Sequence, residues 1–135
     1  MPGEATAHQP IRVLIVDDHL MFTDALASLL ERHDEIHVIG CANTGADAID
    51  QALIGHADVV LMDVAMPGGI DGLETTRRLR LMSPETRVIV LTGMDDDEIS
   101  RRAADAGASA CLTKGALERD VVDTILAVAD SRLNL

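Results

Sequence analysis

Two adjacent carboxylates follow the first apolar run of the chain. The segment VLIVDDHLMF, residues 13–22, leaves its aliphatic run at Asp17 and Asp18. A later apolar run ends on Asp63, another ends on Thr92, and a last one is followed by Lys114. Carboxylates, a hydroxyl and an ammonium group are the side chains that a site needs to hold a divalent cation and a phosphoryl group.

Apolar runs that alternate with amphipathic segments must position these side chains. Runs rich in Val, Ile and Leu predict five strands, and the segments between them have helical periodicity. Such alternation is typical of a parallel sheet covered on both faces. We therefore predict an α/β fold, a doubly wound (βα)5 three-layer sandwich of the flavodoxin-like type with strand order 2-1-3-4-5. The strands are predicted at 11–16, 36–41, 58–63, 86–92 and 109–113, and the helices at about 20–32, 44–55, 71–82, 94–107 and 116–131.

Helix signals add detail to two of these segments. In the first helix, Met21, Phe22, Ala25, Leu26, Leu29 and Leu30 share one face, which we expect to be buried. The acidic run at 95–98 could be read as a second metal site, but acids at a helix start with Gly107 as its stop explain the pattern without a metal.

The carboxyl ends of parallel strands meet at one end of the sheet, where function gathers in open α/β sheets. The acids, the hydroxyl and the ammonium group should therefore converge there. Asp58 opens the third strand, roughly 16 Å from Asp63 at about 3.3 Å per residue. We expect Asp58 to be a solvated surface acid at the opposite end.

Three converging carboxylates repel one another. At about 4 Å and an effective dielectric constant near 20, each pair costs roughly 4 kcal/mol. Mg²⁺ relieves that repulsion and accepts carboxylate and phosphate oxygens. With Mg²⁺ on Asp17, on Asp18 or on both, Asp63 is free to act as an oxygen nucleophile toward phosphorus. Lys114 and the Thr92 hydroxyl would hold the phosphoryl oxygens.

The ordered set VLIVDDH, VVLMDVAMPGGIDGLE, VIVLTG and GASACLTK resembles the receiver domain of two-component response regulators, the CheY-like family. The resemblance spans about residues 11–131. It implies these site roles: Asp63 as phosphoacceptor, Asp17 and Asp18 as Mg²⁺ carboxylates, the Ala65 backbone carbonyl as a further metal ligand, Thr92 as switch hydroxyl and Lys114 as phosphate-binding lysine.

The same resemblance implies a function and partners. A sensor histidine kinase would supply the phosphoryl group, and phosphorylation would shift the surface formed by strand 4, helix 4 and strand 5. The chain would be a signalling switch that assists its own phosphorylation and dephosphorylation rather than an enzyme. The DDH opening resembles the subgroup that usually carries a helix-turn-helix output domain, so the regulated output would be transcription. Homodimers through helices 1 and 5, or through the face around helix 4, both stay open.

Two departures keep alternatives open. The loop after Asp63 is one residue longer than usual, and Cys111 stands in strand 5 where the family often has Tyr or Phe. A receiver fold used as a phosphorylation-independent binding module is therefore one alternative. An Asp-nucleophile phosphatase is weaker, because such families usually place an Asp-x-Asp pattern after strand 1. A nucleotide-binding module is weaker still, because no Gly-rich loop follows that strand.

Composition narrows the class of protein further. The 135 residues carry a formal net charge of −12 and one aromatic side chain, Phe22, so neither a phosphate backbone nor an anionic membrane is an expected partner. No stretch approaches the roughly 20 apolar residues of a membrane span. Cys41 and Cys111 are expected as reduced thiols in a cytoplasmic protein. We expect a disordered tail at 1–10, a receiver domain at 11–131 and a tail at 132–135, with no output domain in the chain.

Overall fold

The computed structural model describes residues 9–66, 71–93, 96–116 and 118–131. Five strands alternate with five helices along the chain. The bounds are β1 Ile11–Val16, α1 Leu20–Glu31, β2 Ile36–Ala42, α2 Gly45–Gly55, β3 Val59–Asp63, α3 Gly72–Met82, β4 Arg87–Thr92, α4 Asp97–Ala106, β5 Ala110–Thr113 and α5 Glu118–Ser131.

The five strands form one parallel sheet in the order β2-β1-β3-β4-β5. The predicted fold class and strand order are confirmed. The strand β3 lies at the centre, so Asp63 has β1 on one side and β4 on the other. Its register partner in β4 is Leu91, one residue before Thr92.

Alternate residues of the buried strands build two separate cores. One contains Leu14, Val60 and Val90 and packs against residues of α2, α3 and α4. The other contains Ile15, Leu61 and Leu91 and packs against residues of α1 and α5. Both faces of the central strands are fully buried, which fixes their register and therefore the positions at which they end.

The helix ends follow their local signals. The Asp71 carboxylate accepts the Glu74 N–H at 2.8 Å and begins α3, and the Asp96 carboxylate accepts the Glu98 N–H at 2.8 Å and begins α4. Gly107 ends α4 at a φ of +104°, a conformation that glycine adopts without steric cost. Asp96 and the two acids after it therefore lie at the start of a helix, as predicted. Asp95 lies outside the described residues.

The helix α1 presents a different face from the one that its sequence predicts. Met21 is 88% exposed and Ala25 is also exposed, so their predicted burial is wrong. The buried stripe is Thr23, Leu26 and Leu30. Thr23 can occupy that stripe because its hydroxyl donates to the Leu20 carbonyl at 2.9 Å and so brings no unsatisfied polar group inside.

Three predicted segments lie largely outside the described residues. They are the N-terminal tail, the C-terminal tail and the extra glycine of the loop at 67–70, so these stay predictions. Across the described part of the chain, the helices lack the combination of length and apolar composition that crossing a bilayer requires.

Candidate functional site

Asp17 follows β1 directly and is held by its backbone. Its N–H donates to the Ala42 carbonyl at 3.0 Å, which continues the β1–β2 pairing by one residue. The side chain is fully buried. Its Oδ1 accepts the His19 backbone N–H at 2.9 Å, and the His19 Nδ1 lies 2.9 Å from the same oxygen. These contacts orient the carboxylate and leave Oδ2 facing the site.

Asp63 is the last residue of β3, and its backbone is equally constrained. The N–H of Val64 donates to the Leu91 carbonyl at 3.0 Å, and the carboxylate Oδ1 accepts the Ala65 N–H at 3.2 Å. The start of α3 presses against this point, because a Cβ at Gly72 would overlap the backbone oxygen of Asp63. Only glycine therefore allows this approach of α3.

Lys114 brings the positive charge. Its backbone N–H donates to the Thr92 carbonyl at 2.8 Å, which ties the start of the β5–α5 connection to the end of β4. Its ammonium nitrogen Nζ lies 2.7 Å from the Asp17 Oδ2 and 3.3 Å from the Asp63 Oδ2. The lysine thus bridges the two buried acids.

The remaining oxygens are suited to a cation. One ligand atom from each of Asp17, Asp18, His19 and Asp63 lies within 4.8 Å of all the others. The Oδ2 atoms of Asp17 and Asp63 are buried and accept no well-aligned hydrogen bond from the described residues. Both contact the Lys114 ammonium as ion pairs. Buried carboxylate oxygens in this state favour a bound hard cation, so the donor set fits Mg²⁺.

The two buried acids differ in their electrostatics. Burial opposes ionisation of Asp17, but Lys114 and the hydrogen bonds from His19 outweigh burial and lower its pKa. Burial raises the pKa of Asp63, and the negative charge of Asp17 raises it further, against the opposing effects of the Ala65 N–H and Lys114. Burial alone would lower the pKa of Lys114, but its contacts with the two acids raise it. Asp63 is therefore the more basic carboxylate and Lys114 a stable cation.

The other predicted site residues lie at the same end of the sheet. Thr92 is 5% exposed at the end of β4, and Ala65 is exposed two residues after Asp63. Asp18 has a side chain that is 28% exposed, at the rim of the cluster. The roles assigned to these residues stay predictions. Asp58 lies at the opposite end as expected, at a partly exposed position where its carboxylate accepts the Arg12 N–H at 2.9 Å.

Comparison with known proteins identifies the family of this chain. A model of the response regulator receiver domain family matches residues 13–126. The chain belongs to that family. This receiver domain is 40% identical over 115 residues to the response regulator GacA of Pseudomonas viridiflava, covering 85% of the chain and 53% of GacA. It is 38% identical over 118 residues to the response regulator UvrY of Escherichia coli, covering 87% of the chain and 54% of UvrY.

Solved structures agree on the architecture. The signal receiver domain of the response regulator NarL from Mycobacterium tuberculosis superposes with a TM-score of 0.85 at 30% identity, covering 90% of this chain and 98% of that one. A LuxR-family two-component response regulator from an Aurantimonas species gives a TM-score of 0.85 at 28% identity, covering 92% of this chain and 88% of that one. The receiver domain spans about half the length of the curated relatives that it matches.

Sequence reasoning gave too little weight to three residues of the site. His19 contacts both Asp17 and Asp18. Its position directly after the acidic pair was the available signal. The close approach at Gly72 and the contact of Phe22 with Lys114 join residues from different elements. No local pattern reports such contacts.

Proposed function

We propose that this receiver domain is a phosphorylation-dependent switch whose phosphoacceptor is Asp63. The observation that carries the proposal is the Asp63 Oδ2, a buried carboxylate oxygen with no hydrogen bond from the described residues, 3.3 Å from the Lys114 ammonium. Asp17 is the more strongly bonded acid beside it, because its Oδ1 accepts the His19 N–H at 2.9 Å and its Oδ2 lies 2.7 Å from the Lys114 ammonium, so Asp63 is the freer nucleophile.

The donor is a phosphohistidine on a partner histidine kinase. An Asp63 oxygen forms a bond to phosphorus while the phosphorus–nitrogen bond to the imidazole breaks, and the imidazole keeps that electron pair. Lys114 neutralises charge on the phosphoryl oxygens, and the Thr92 hydroxyl donates to another of them. Water attack on the acyl phosphate later returns Asp63 to its carboxylate form.

Mg²⁺ fits the acidic cluster as a resident cofactor. Asp17, Asp18 and Asp63 would hold it through carboxylate oxygens, and Ala65 through its backbone carbonyl. Bound there, the ion supplies charge neutralisation for the transferring phosphoryl group. The hydrogen bonds from His19 to Asp17 pre-orient one of these ligands.

The output of the switch is a change in the β4–α4–β5 surface. A dianion on Asp63 attracts the Lys114 ammonium and the Thr92 hydroxyl, which stand at the ends of β5 and β4. The segment that matches the response regulators GacA and UvrY covers 53% and 54% of their lengths. We infer that the surface controls transcription in the cytoplasm through a DNA-binding output region that is not among these residues, and that this chain does not itself bind nucleic acid or membrane.

Intact-mass measurement after incubation with acetyl phosphate and Mg²⁺ tests the phosphoacceptor. The parent chain should gain the mass of one phosphoryl group and Asp63→Asn should gain none. Asp58→Asn, which removes an acid from the other end of the same strand, should label like the parent. Equal labelling of the parent and Asp63→Asn would move the acceptor to another residue.

A phosphorylation-independent binding module is the second candidate, and Cys111 is the observation that favours it. This half-buried thiol occupies the strand position where the family often has an aromatic side chain. An unlabelled parent chain in the same experiment would favour this candidate. Repeated turnover of a phosphomonoester would instead favour a phosphatase.

A further inference from the structure

The receiver domain has one aromatic side chain, and it contacts the site. Phe22 is the only Phe in the chain, which has no Trp or Tyr. It lies in the first turn of α1 and is half-buried. The Lys114 Nζ lies 5.0 Å from the centre of the Phe22 ring. That distance is within the range of a cation–π contact, in which the negative face of the ring attracts an ammonium group.

The surroundings of this contact are mostly apolar, with Thr113 and Glu118 as the other polar residues of the described lining. A cavity of about 120 Å³ lies between α1 and the start of α5, and Phe22 and Lys114 both line it together with Leu26, Leu91 and Val121. An ammonium group partly removed from water interacts more strongly with a ring face than an exposed one does. A Leu at residue 22 could fill similar space, so the property that Phe22 adds is the charge distribution of its ring.

The lysine needs such a restraint. Its side chain has a flexible four-carbon stem and is 22% exposed, so it has access to conformations directed into solvent. The acids Asp17 and Asp63, at the ends of β1 and β3, attract the ammonium. The Phe22 ring belongs to a different element, so together these contacts define the position of Nζ.

We propose that Phe22 is a positioning residue for Lys114, acting through a cation–π contact that keeps the ammonium group at the phosphorylation site. Its effect on phosphoryl transfer rests on the proposed function, whereas the contact itself does not. Phe22 also connects the site to α1.

Graded fluorination of the ring tests the effect on the reaction. Because the chain contains one Phe, growth on fluorinated phenylalanines changes residue 22 alone. Added fluorines withdraw charge from the ring face with little change in shape. The rate constant for phosphorylation by acetyl phosphate with Mg²⁺ should fall stepwise, by about two- to fivefold at the highest fluorination. A rate constant that stays flat or rises across the series overturns the proposal.

A double-mutant cycle tests the contact without any phosphoryl transfer. Urea unfolding followed by far-UV circular dichroism is measured for Phe22 and fluorinated Phe22, each with Lys114 and with Lys114→Met. Fluorination should lower the unfolding midpoint only when Lys114 is present. Equal effects in both backgrounds would assign the result to packing and overturn the proposal. A parent chain that accepts no phosphoryl group would contradict the proposed function, but the double-mutant cycle would still test the contact between Phe22 and Lys114.

Conservative variants distinguish the effect of the ring face from the effect of apolar volume at residue 22. Phe22→Tyr keeps the ring face and should keep the phosphorylation rate constant near that of the parent. Phe22→Leu keeps apolar volume without a ring face and should lose about as much as the most fluorinated ring. Equal rate constants for the Tyr and Leu variants would show that apolar bulk is sufficient, which overturns the proposal.

Discussion

At the amino end of the sheet, just before β3, the Asp58 carboxylate accepts the Arg12 backbone N–H at 2.9 Å. At the carboxyl end, where the same strand finishes, Asp63 keeps a buried oxygen without a hydrogen bond from the described residues. Asp17 beside it has another such oxygen. The acid at the amino end therefore accepts a hydrogen bond within the fold, whereas each of the two acids at the carboxyl end has a buried oxygen that a ligand could contact.

The amino end is not free of unsatisfied atoms. The Arg87 Nε is also buried without a hydrogen bond from the described residues. It is a single nitrogen, however, whereas the carboxyl end brings two like charges together, and the charge of Asp17 raises the pKa of Asp63. Two like charges that are brought together out of water cost free energy. Lys114 offsets part of that cost through its contacts with both acids, and a bound cation would offset more of it.

The largest expected effect comes from a glycine at the carboxyl end. Gly72→Ala places a Cβ against the backbone oxygen of Asp63, so α3 or the end of β3 must shift. We expect a loss of about 3 kcal/mol in the free energy of unfolding, measured by urea denaturation, together with slower phosphorylation. Gly93→Ala is the matched control, because a Cβ there meets nothing within 4 Å. Equal stability of the two variants would contradict the close approach of α3.

The second effect tests the satisfied polar groups of the amino end. The Ser83 hydroxyl donates to the Thr86 Oγ1 at 2.7 Å, and Thr86 donates to the Ala57 carbonyl at 3.0 Å, with both hydroxyls buried. Thr86→Val keeps the shape and removes both bonds, so the free energy of unfolding should fall by about 2 kcal/mol. Thr86→Ser keeps the hydroxyl and should lose much less. Phosphorylation should be unaffected in both variants, since the change lies far from the site.

The order of strands was predictable because it depends on local patterns. Strand runs, helix periods and the stop at Gly107 are each encoded within a few residues, and the handedness of crossovers limits how they assemble. The convergence of Asp17, Asp63 and Lys114 follows from that topology, since strand ends of a parallel sheet share one side. Most of this cluster could therefore be located from the sequence alone.

The missed features depend on contacts between elements. The rotation of α1 that exposes Met21 is set by how the helix packs against the sheet, and Thr23 takes a buried position through a hydrogen bond to its own helix. The role of Gly72 depends on how closely α3 approaches β3. The hydrogen bond that Asp58 accepts from Arg12 of β1 also joins two elements. Sequence periodicity contains no information on such distances.

A third effect has opposite signs at the two ends of β3. Without Mg²⁺, Asp63→Asn removes one of two repelling buried charges, so the free energy of unfolding at neutral pH should rise by about 1 kcal/mol. Asp58→Asn removes a charge that a backbone N–H stabilises, so it should lower stability by about 0.5 kcal/mol. Urea denaturation in the presence of a chelator measures both. A loss of stability in Asp63→Asn would show that Lys114 more than compensates the repulsion.

The smallest effect concerns an acid that cations stabilise at the surface. Glu118, at the start of α5, lies 2.8 Å from the His33 Nε2 and 3.0 Å from the Arg32 Nη2, and its pKa is lowered mainly by the hydrogen bond with His33. A carboxyl with a lowered folded-state pKa stabilises the fold above its unfolded pKa and loses that contribution as the pH falls through the folded value.

Glu118→Gln should therefore be less stable than the parent at neutral pH, and the two should converge in strong acid. Urea midpoints measured by circular dichroism across that pH range follow the difference. Glu85→Gln, at an exposed acid to which the described residues offer no ion pair, should show no such convergence. A Glu118 difference that persists below the folded pKa would mean that the side chain acts through packing. In that case Glu118, unlike Asp58 at the amino end, would not be an acid whose charge contributes to stability.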